Sequence, residues 1–213
     1  MGDTSKSSGN RAFSEMLKAA KERLISKTCD DILSRTSLEF SSETSEFVLS
    51  SLGRTVRVSY PQFDLTPPIN EWHHLIILHY LEMADGTPLS ADQITFGELK
   101  GGLARGGNFD RECERTINQS LGRKPPETVR KACEALGAQI IPSNADLCAV
   151  FPFLPMYPVT LKIWFADDEL EGTGRMLLNG SADHYLSTED AVAVGELILS
   201  AVKEKTAIME ATK

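Results

Sequence analysis

The residue types able to do chemistry in this chain concentrate in a few short stretches, and four histidines carry most of the options. His184 stands in Ser181-Ala182-Asp183-His184-Tyr185-Leu186-Ser187-Thr188-Glu189-Asp190. A carboxylate orienting an imidazole, with a phenol beside it, is the composition of a proton-transfer site. That makes His184, Asp183 and Tyr185 the candidate catalytic residues. Neighbours in sequence rarely face each other, so the carboxylate serving His184 has to be sought elsewhere in the fold as well. The same segment also reads as a helix start. Ser187 and Asp190 have capping-box spacing, and Leu186 just before the cap can act as a hydrophobic staple. Both readings stand.

Three more histidines lie in Trp72-His73-His74-Leu75-Ile76-Ile77-Leu78-His79-Tyr80-Leu81. Two ligands on one helix share an ion when they are about three or four residues apart. Here the separations are one, five and six, so no shared metal site is expected. His79 falls in the row Trp72, Leu75, Ile76 and Met83, which predicts a buried, hydrogen-bonded histidine. His73 and His74 fall in the first turn, which places them near the surface.

Gly101-Gly102-Leu103-Ala104-Arg105-Gly106-Gly107-Asn108 can wrap an anion with backbone N–H groups, Arg105 adding charge. It lacks the Gly-Lys-Ser/Thr of a P-loop and the glycine order of a dinucleotide fingerprint. A plain connector or lid is the alternative. No G-x-S-x-G elbow is present. Four cysteines, at 29, 113, 133 and 148, are too few and too far apart for a disulfide scaffold or a paired-thiolate metal loop. Cys133 lies on a helical apolar stripe and is expected to be buried. Cys113, among Arg111, Glu112, Glu114 and Arg115, is expected to be exposed.

These groups must be positioned by a 213-residue chain that is 41% hydrophobic and 24% charged, in the ordinary range for a globular domain. Its net charge of -8 argues against a nucleic-acid partner. Its apolar runs fall far short of the roughly 20 residues that span a bilayer, so no membrane partner is expected. The polar start without an apolar core predicts a disordered tail over 1–9 and a cytoplasmic protein. Charge is uneven. Residues 100–131 carry eight Lys/Arg against four Asp/Glu, and 143–190 carry two against eight.

Apolar spacing predicts amphipathic helices at 10–27, 30–35, 110–121, 126–136 and 188–204, the last followed by a frayed tail over 206–213. A more apolar helix runs from an Asn70 cap to about Ala84, and nearly every residue from 75 to 81 is apolar, so it is the central, buried one. Short strands are expected around Leu52-Gly53, at 93–96, and through 139–141, 147–151, 159–165 and 176–178. Residues 60–68 and 85–109 read as loops. Strands in runs with grouped helices make the fold class α+β, a mostly antiparallel sheet packed with several helices, in one domain over 10–205.

Leu78-His79-Tyr80-Leu81, Ala84-Asp85-Gly86-Thr87-Pro88-Leu89, Thr95-Phe96-Gly97-Glu98-Leu99 with Gly101-Gly102, Glu134-Ala135-Leu136-Gly137, Pro152-Phe153-Leu154-Pro155 and the Ser181–Asp190 motif occur in that order. Together they resemble the bacterial and archaeal domain-of-unknown-function family numbered 3786, over about residues 10 to 202. The resemblance implies proteins of anaerobes and a context of anaerobic redox, one-carbon or corrinoid metabolism. Some members are described as iron–sulfur proteins through an attached cysteine-rich module, which this chain lacks. The resulting expectation is a protein that binds a small-molecule ligand or cofactor between the 85–109 loop and the 181–190 segment. Gly101, Gly102, Arg105, His184 and Tyr185 would be the binding residues, Arg105 meeting an anionic group and His184 and Tyr185 giving hydrogen bonds or an axial ligand. The alternatives are an acid–base enzyme using His184 and a protein-interaction module without a ligand pocket.

Overall fold

Asn70 starts the central helix. Its Oδ1 accepts the Trp72 N–H at 2.9 Å and the His73 N–H at 3.3 Å, satisfying two of the donors that a helix start leaves open. From there α3 (Glu71–Met83) buries Leu75, Ile76, Ile77, Leu78, Tyr80 and Leu81, so the most apolar helix of the chain is also its most enclosed. The computed structural model describes residues 4–212, with side chains from Arg11 onward. Around α3 stand α1 (Thr4–Leu24), α2 (Cys29–Thr36) and α6 (Thr188–Ala211). Two further helices, α4 (Arg105–Gln119) and α5 (Pro126–Ala135), pack against α6 and the strands.

The strands form two sheets, both antiparallel throughout. The first runs in chain order: β1 (Glu39–Ser41), β2 (Glu46–Ser51), β3 (Arg54–Ser59) and β4 (Leu65–Thr66). The second contains β5 (Gln93–Ile94), β6 (Gln139–Ile140), β7 (Leu147–Leu154), β8 (Tyr157–Trp164) and β9 (Thr173–Asn179), in the order β5-β9-β8-β7-β6. The fold is α+β. The sheets meet where β2 contacts β7, and buried side chains from both join those of the helices in one apolar cluster. Among the described residues no helix is long and apolar enough to cross a membrane.

Against the sequence reading, β1 forms where no strand is expected, β4 forms inside the 60–68 segment read as a loop, and β7 and β9 extend past their expected spans. Three helix boundaries shift as well. The first helix begins at Thr4, where a tail to residue 9 is expected; residues 1–3 of that tail lie outside the described residues. The last helix continues to Ala211 through the segment expected to fray. Thr206 is buried there with its hydroxyl on the Val202 carbonyl, and Glu210 pairs with Lys124 at 2.8 Å, so tertiary contacts hold those turns.

The third difference matters most for the site. Residues 105–109 belong to α4 and not to a loop. The Asp110 carboxylate accepts the N–H groups of Phe96 and Gly97 at 3.1 and 2.8 Å, docking α4 onto the 3-10 turn Phe96–Glu98. A Cβ on Gly106 would stand 2.0 Å from the Phe96 carbonyl oxygen. The glycines there allow close approach of backbones and do not make a mobile anion-wrapping loop.

The enclosure of α3 has a measurable consequence. Leu78 is fully buried, so Leu78→Ala is expected to lower unfolding free energy by about 2–5 kcal/mol through the cavity it leaves. Urea denaturation measures it, and a loss well under 1 kcal/mol would contradict the central placement.

Candidate functional site

The 85–109 and 181–190 segments do meet, and they meet by hydrogen bonds that use up most of their polar groups. His184 sits at the end of the 3-10 turn Ala182–His184. Its Nδ1 lies 2.7 Å from Asp85 Oδ2 and 3.0 Å from Thr87 Oγ1. Hydrogen bonds from His184 and from Thr87 pull the Asp85 carboxyl down to about 2. The carboxylate serving His184 is therefore Asp85, from across the chain. Asp183 turns away and accepts the Lys100 N–H at 3.2 and 3.0 Å. Tyr185 is fully buried, donates its hydroxyl to the Thr87 carbonyl and stacks on Tyr80 at 5.8 Å, so it offers no open ligand. Arg105 does meet anions, but they are the chain's own: Glu189 at 3.1 Å and Glu196 at 3.5 Å. Gly102 lies against the Phe96 and Leu99 carbonyls, with 2.4 Å between the first and an added Cβ, and Gly101, at φ +77°, makes the turn. Of the five residues expected to bind a ligand, Arg105 is spent on two glutamates and Gly102 and Tyr185 are buried, which leaves His184, half exposed beside Asp85, as the side chain still facing solvent for a ligand.

The three α3 histidines go to three different neighbours. His79 Nδ1 lies 2.8 Å from Asp190 Oδ1, and Asp190 Oδ2 accepts the Ser187 hydroxyl at 2.6 Å. The cap of α6 is thus tied to the central helix. His79 is hydrogen-bonded but only half-buried, and Trp72 and Met83 of its row are exposed at 52% and 41%, because that row reaches the rim of the helix packing. His74 is flanked by Lys21 and Asp64 and hydrogen-bonds to the Phe63 backbone, burial being the main reason its pKa is lowered. Contrary to the surface placement expected from its position in the first turn, His73 is 6% exposed. Its ring stacks on Phe153 of β7 at 4.9 Å, and Nε2 stands 2.8 Å from Ser51 Oγ. Burial, and secondarily the charge of Arg54, push its pKa down to about 4, so the ring is neutral near pH 7.

Ser51 and His73 form the floor of a cleft of about 480 Å³. The β2–β3 hairpin positions them. Leu52 and Gly53 carry positive φ of 48° and 71°, a two-residue turn that matches strand twist. Ser51 pairs with Arg54 directly across it. The hairpin tip rests on the C-terminal end of α5, where a Cβ on Gly53 would approach the Ala135 carbonyl oxygen to 2.7 Å. Gly137, at φ +82°, stands just past the end of that helix and lets the tip approach. The opposite wall is α6, through Leu197, Ala201, Glu204, Lys205 and Ile208. On the other side of α6 a second, more open depression of about 530 Å³ runs along α4. Its Arg105 and Glu112 are already paired with Glu196 and Arg115. Cys113 lies beneath it, 1% exposed and not exposed as expected, its thiol pushed up to about 12 by burial. Such a thiol is inert.

Among the described residues no three His, Cys, Asp or Glu side chains are grouped to hold a metal ion, and all four cysteines are free thiols. The side chains present do not fit an iron–sulfur cluster. Ser51, Arg54, Asp85 and Asp190 escaped the sequence reading as site residues. Only Asp190 carried a local signal, as the capping-box partner of Ser187. A family model described as a domain of unknown function, DUF3786, matches residues 28–201. No curated protein and no solved structure matches the chain.

Two outcomes are expected from this geometry. The folded His73 ring takes up its proton only near pH 4, whereas the unfolded chain takes it up near the ordinary 6.5. The unfolded state therefore binds more protons between those values. The stability His73 contributes is intact above about pH 6.5 and declines as pH falls toward 4, by on the order of 3 kcal/mol. NMR titration of the ring checks it, and a midpoint near 6.5 would refute the desolvation. Separately, Ser187→Ala is expected to destabilise by about 0.5–2 kcal/mol through the cap, while His184→Ala, losing a half-exposed pair, stays within about 1 kcal/mol. Thermal and urea unfolding of both variants separates the two roles.

Proposed function

We propose that this chain, which belongs to the DUF3786 family, is a small-molecule- or cofactor-binding domain whose ligand occupies the cleft between the β2–β3 hairpin and α6. One observation carries the reading. The buried polar pair Ser51–His73 lies in the floor of a cleft whose other walls combine apolar side chains, among them Leu136, Leu197 and Ile208, with a few polar ones, the arrangement by which binding sites join contact area to orienting hydrogen bonds. The seam between the 85–109 and 181–190 segments is closed by its own bonds and serves to position α4 and α6. The setting that the resemblance implies for the ligand is anaerobic redox, one-carbon or corrinoid metabolism. A cytoplasmic location and the lack of a nucleic-acid partner are part of the same reading, supported by four free thiols and a net charge of -8.

A second reading, an acid–base enzyme, is favoured by the 2.7 Å contact between His184 and Asp85. In that case Asp85 orients the imidazole, and His184 exchanges a proton with a substrate at the surface. The half-exposed setting argues for the cleft over this pair, since water competes there for every contact.

Native mass spectrometry and a visible absorption spectrum of protein purified without oxygen test the proposal. The wild-type chain is expected to retain a small molecule. Ala201→Trp, which fills the cleft from the α6 side, is expected to lose it while unfolding within a few degrees of wild type. Retention by the filled variant would move the ligand elsewhere, and a bare mass from wild type would count against a tightly held one.

A further inference from the structure

Building on the cleft reading, we infer that its ligand is an organic anion, with a carboxylate or phosphate held by Arg54 and Lys205 above the Ser51–His73 pair and an apolar body lying on Leu136, Leu197 and Ile208. Charge is the first argument. The cleft is lined by two cations and one carboxylate, Glu204, in a chain whose net charge is -8. Among the described residues neither Arg54 nor Lys205 is engaged in an ion pair, whereas the arginine of the neighbouring depression is neutralised by Glu189 and Glu196. A guanidinium left without a protein partner at a cleft mouth is free to take a bidentate anion.

Hydrogen-bond inventory is the second. A neutral imidazole and a hydroxyl hold two polar protons between them, and their mutual bond uses one. Whichever tautomer is present, one donor remains. The stacking of His73 on Phe153 fixes the ring plane, so the pair keeps its geometry when the ligand arrives. The apolar walls are the third argument. Ile208 is 53% exposed and Leu136 and Leu197 are partly so, a surface that a bare inorganic ion would leave wet. An anionic group with an attached apolar moiety satisfies all three features together.

NMR titration of the full chain with phenylacetate, phenyl phosphate, benzyl alcohol and benzylamine tests the inference. At least one of the two anions is expected to shift the resonances of Gly53, His73 and Leu136, and the tighter of them identifies the acidic group as carboxylate or phosphate. Arg54→Ala, a substitution of an exposed side chain, is expected to weaken that anion about tenfold or more without moving the unfolding midpoint, and Arg54→Lys to weaken it less. Benzyl alcohol and benzylamine are expected to bind at least about tenfold more weakly than the anion. If either binds the cleft as tightly as the anions, or if Arg54→Ala leaves the anion affinity unchanged, the anion inference falls and the cleft remains a binding site. If no probe shifts any cleft resonance, both readings fall.

Discussion

A helix that is apolar on nearly every side has to be covered on every side, and α3 imposes that demand on the rest of the chain. Its seven-residue stretch from Leu75 to Leu81 has no polar face to give to water apart from His79. Helices α1, α2 and α6 close around it, and Phe153 of β7 meets its first turn. A polar group drawn in with it and left unpaired costs on the order of 1–3 kcal/mol; His74 Nε2 is left so, and the others find partners. The tyrosine hydroxyl of Tyr80 donates to the Thr36 carbonyl of α2 and accepts the Met156 N–H of the β7–β8 turn. His79 finds Asp190 and His73 finds Ser51. Each pairing reaches a distant part of the sequence, so the polar residues of α3 pin the first sheet, the second sheet and the last helix to one axis.

That constraint separates two kinds of polar cluster. Where segments 85–109 and 181–190 meet, donors and acceptors are matched within the protein: Asp183 with the Lys100 N–H, Tyr185 with Thr87, Arg105 with two glutamates. A saturated seam is mechanically useful, since it holds α4 against α6, but it has little left for a ligand. At the β2–β3 hairpin the balance differs. The turn presses Gly53 onto the end of α5, and that fixes Ser51 and Arg54 together on the hairpin side of a gap whose other wall is α6. Polar capacity and open volume coincide there.

The electrostatic states of the imidazoles follow from the same packing. His73 is deprotonated by burial near a guanidinium, which keeps it available as a neutral hydrogen-bonding group through the physiological range. His184, in solvent beside a carboxylate held at about 2, faces a fixed negative charge. One protein thus presents two imidazole environments of opposite electrostatic character, one dry and cationic in its surroundings, the other wet and anionic.

Much of the architecture was legible in local sequence, because its cause is local. Asn70 before an apolar run, Ser187 three residues before Asp190, Pro126 with Gly137 at the two ends of α5, and positive-φ residues at Leu52-Gly53 each act over a few residues, and periodicity does the rest. The α+β class and the buried central helix followed from such signals. Which histidine would be buried did not. Position in the first turn suggests exposure for His73, but a strand and a hairpin from elsewhere cover it, and no pattern within the helix encodes that coverage. Likewise Gly106 reads as loop flexibility until Phe96 is seen beneath it. Asp85 and Ser51 stand 99 and 22 residues from their histidine partners, and the spacing of side chains along a chain carries no information about pairings of that reach. Sequence alone determined which helices form and where the capped ones, α3 and α6, start, because caps and periodicity are short-ranged. Tertiary structure decided which polar groups are spent on one another and which are left facing a cleft, because desolvation and hydrogen-bond matching depend on everything packed around a group.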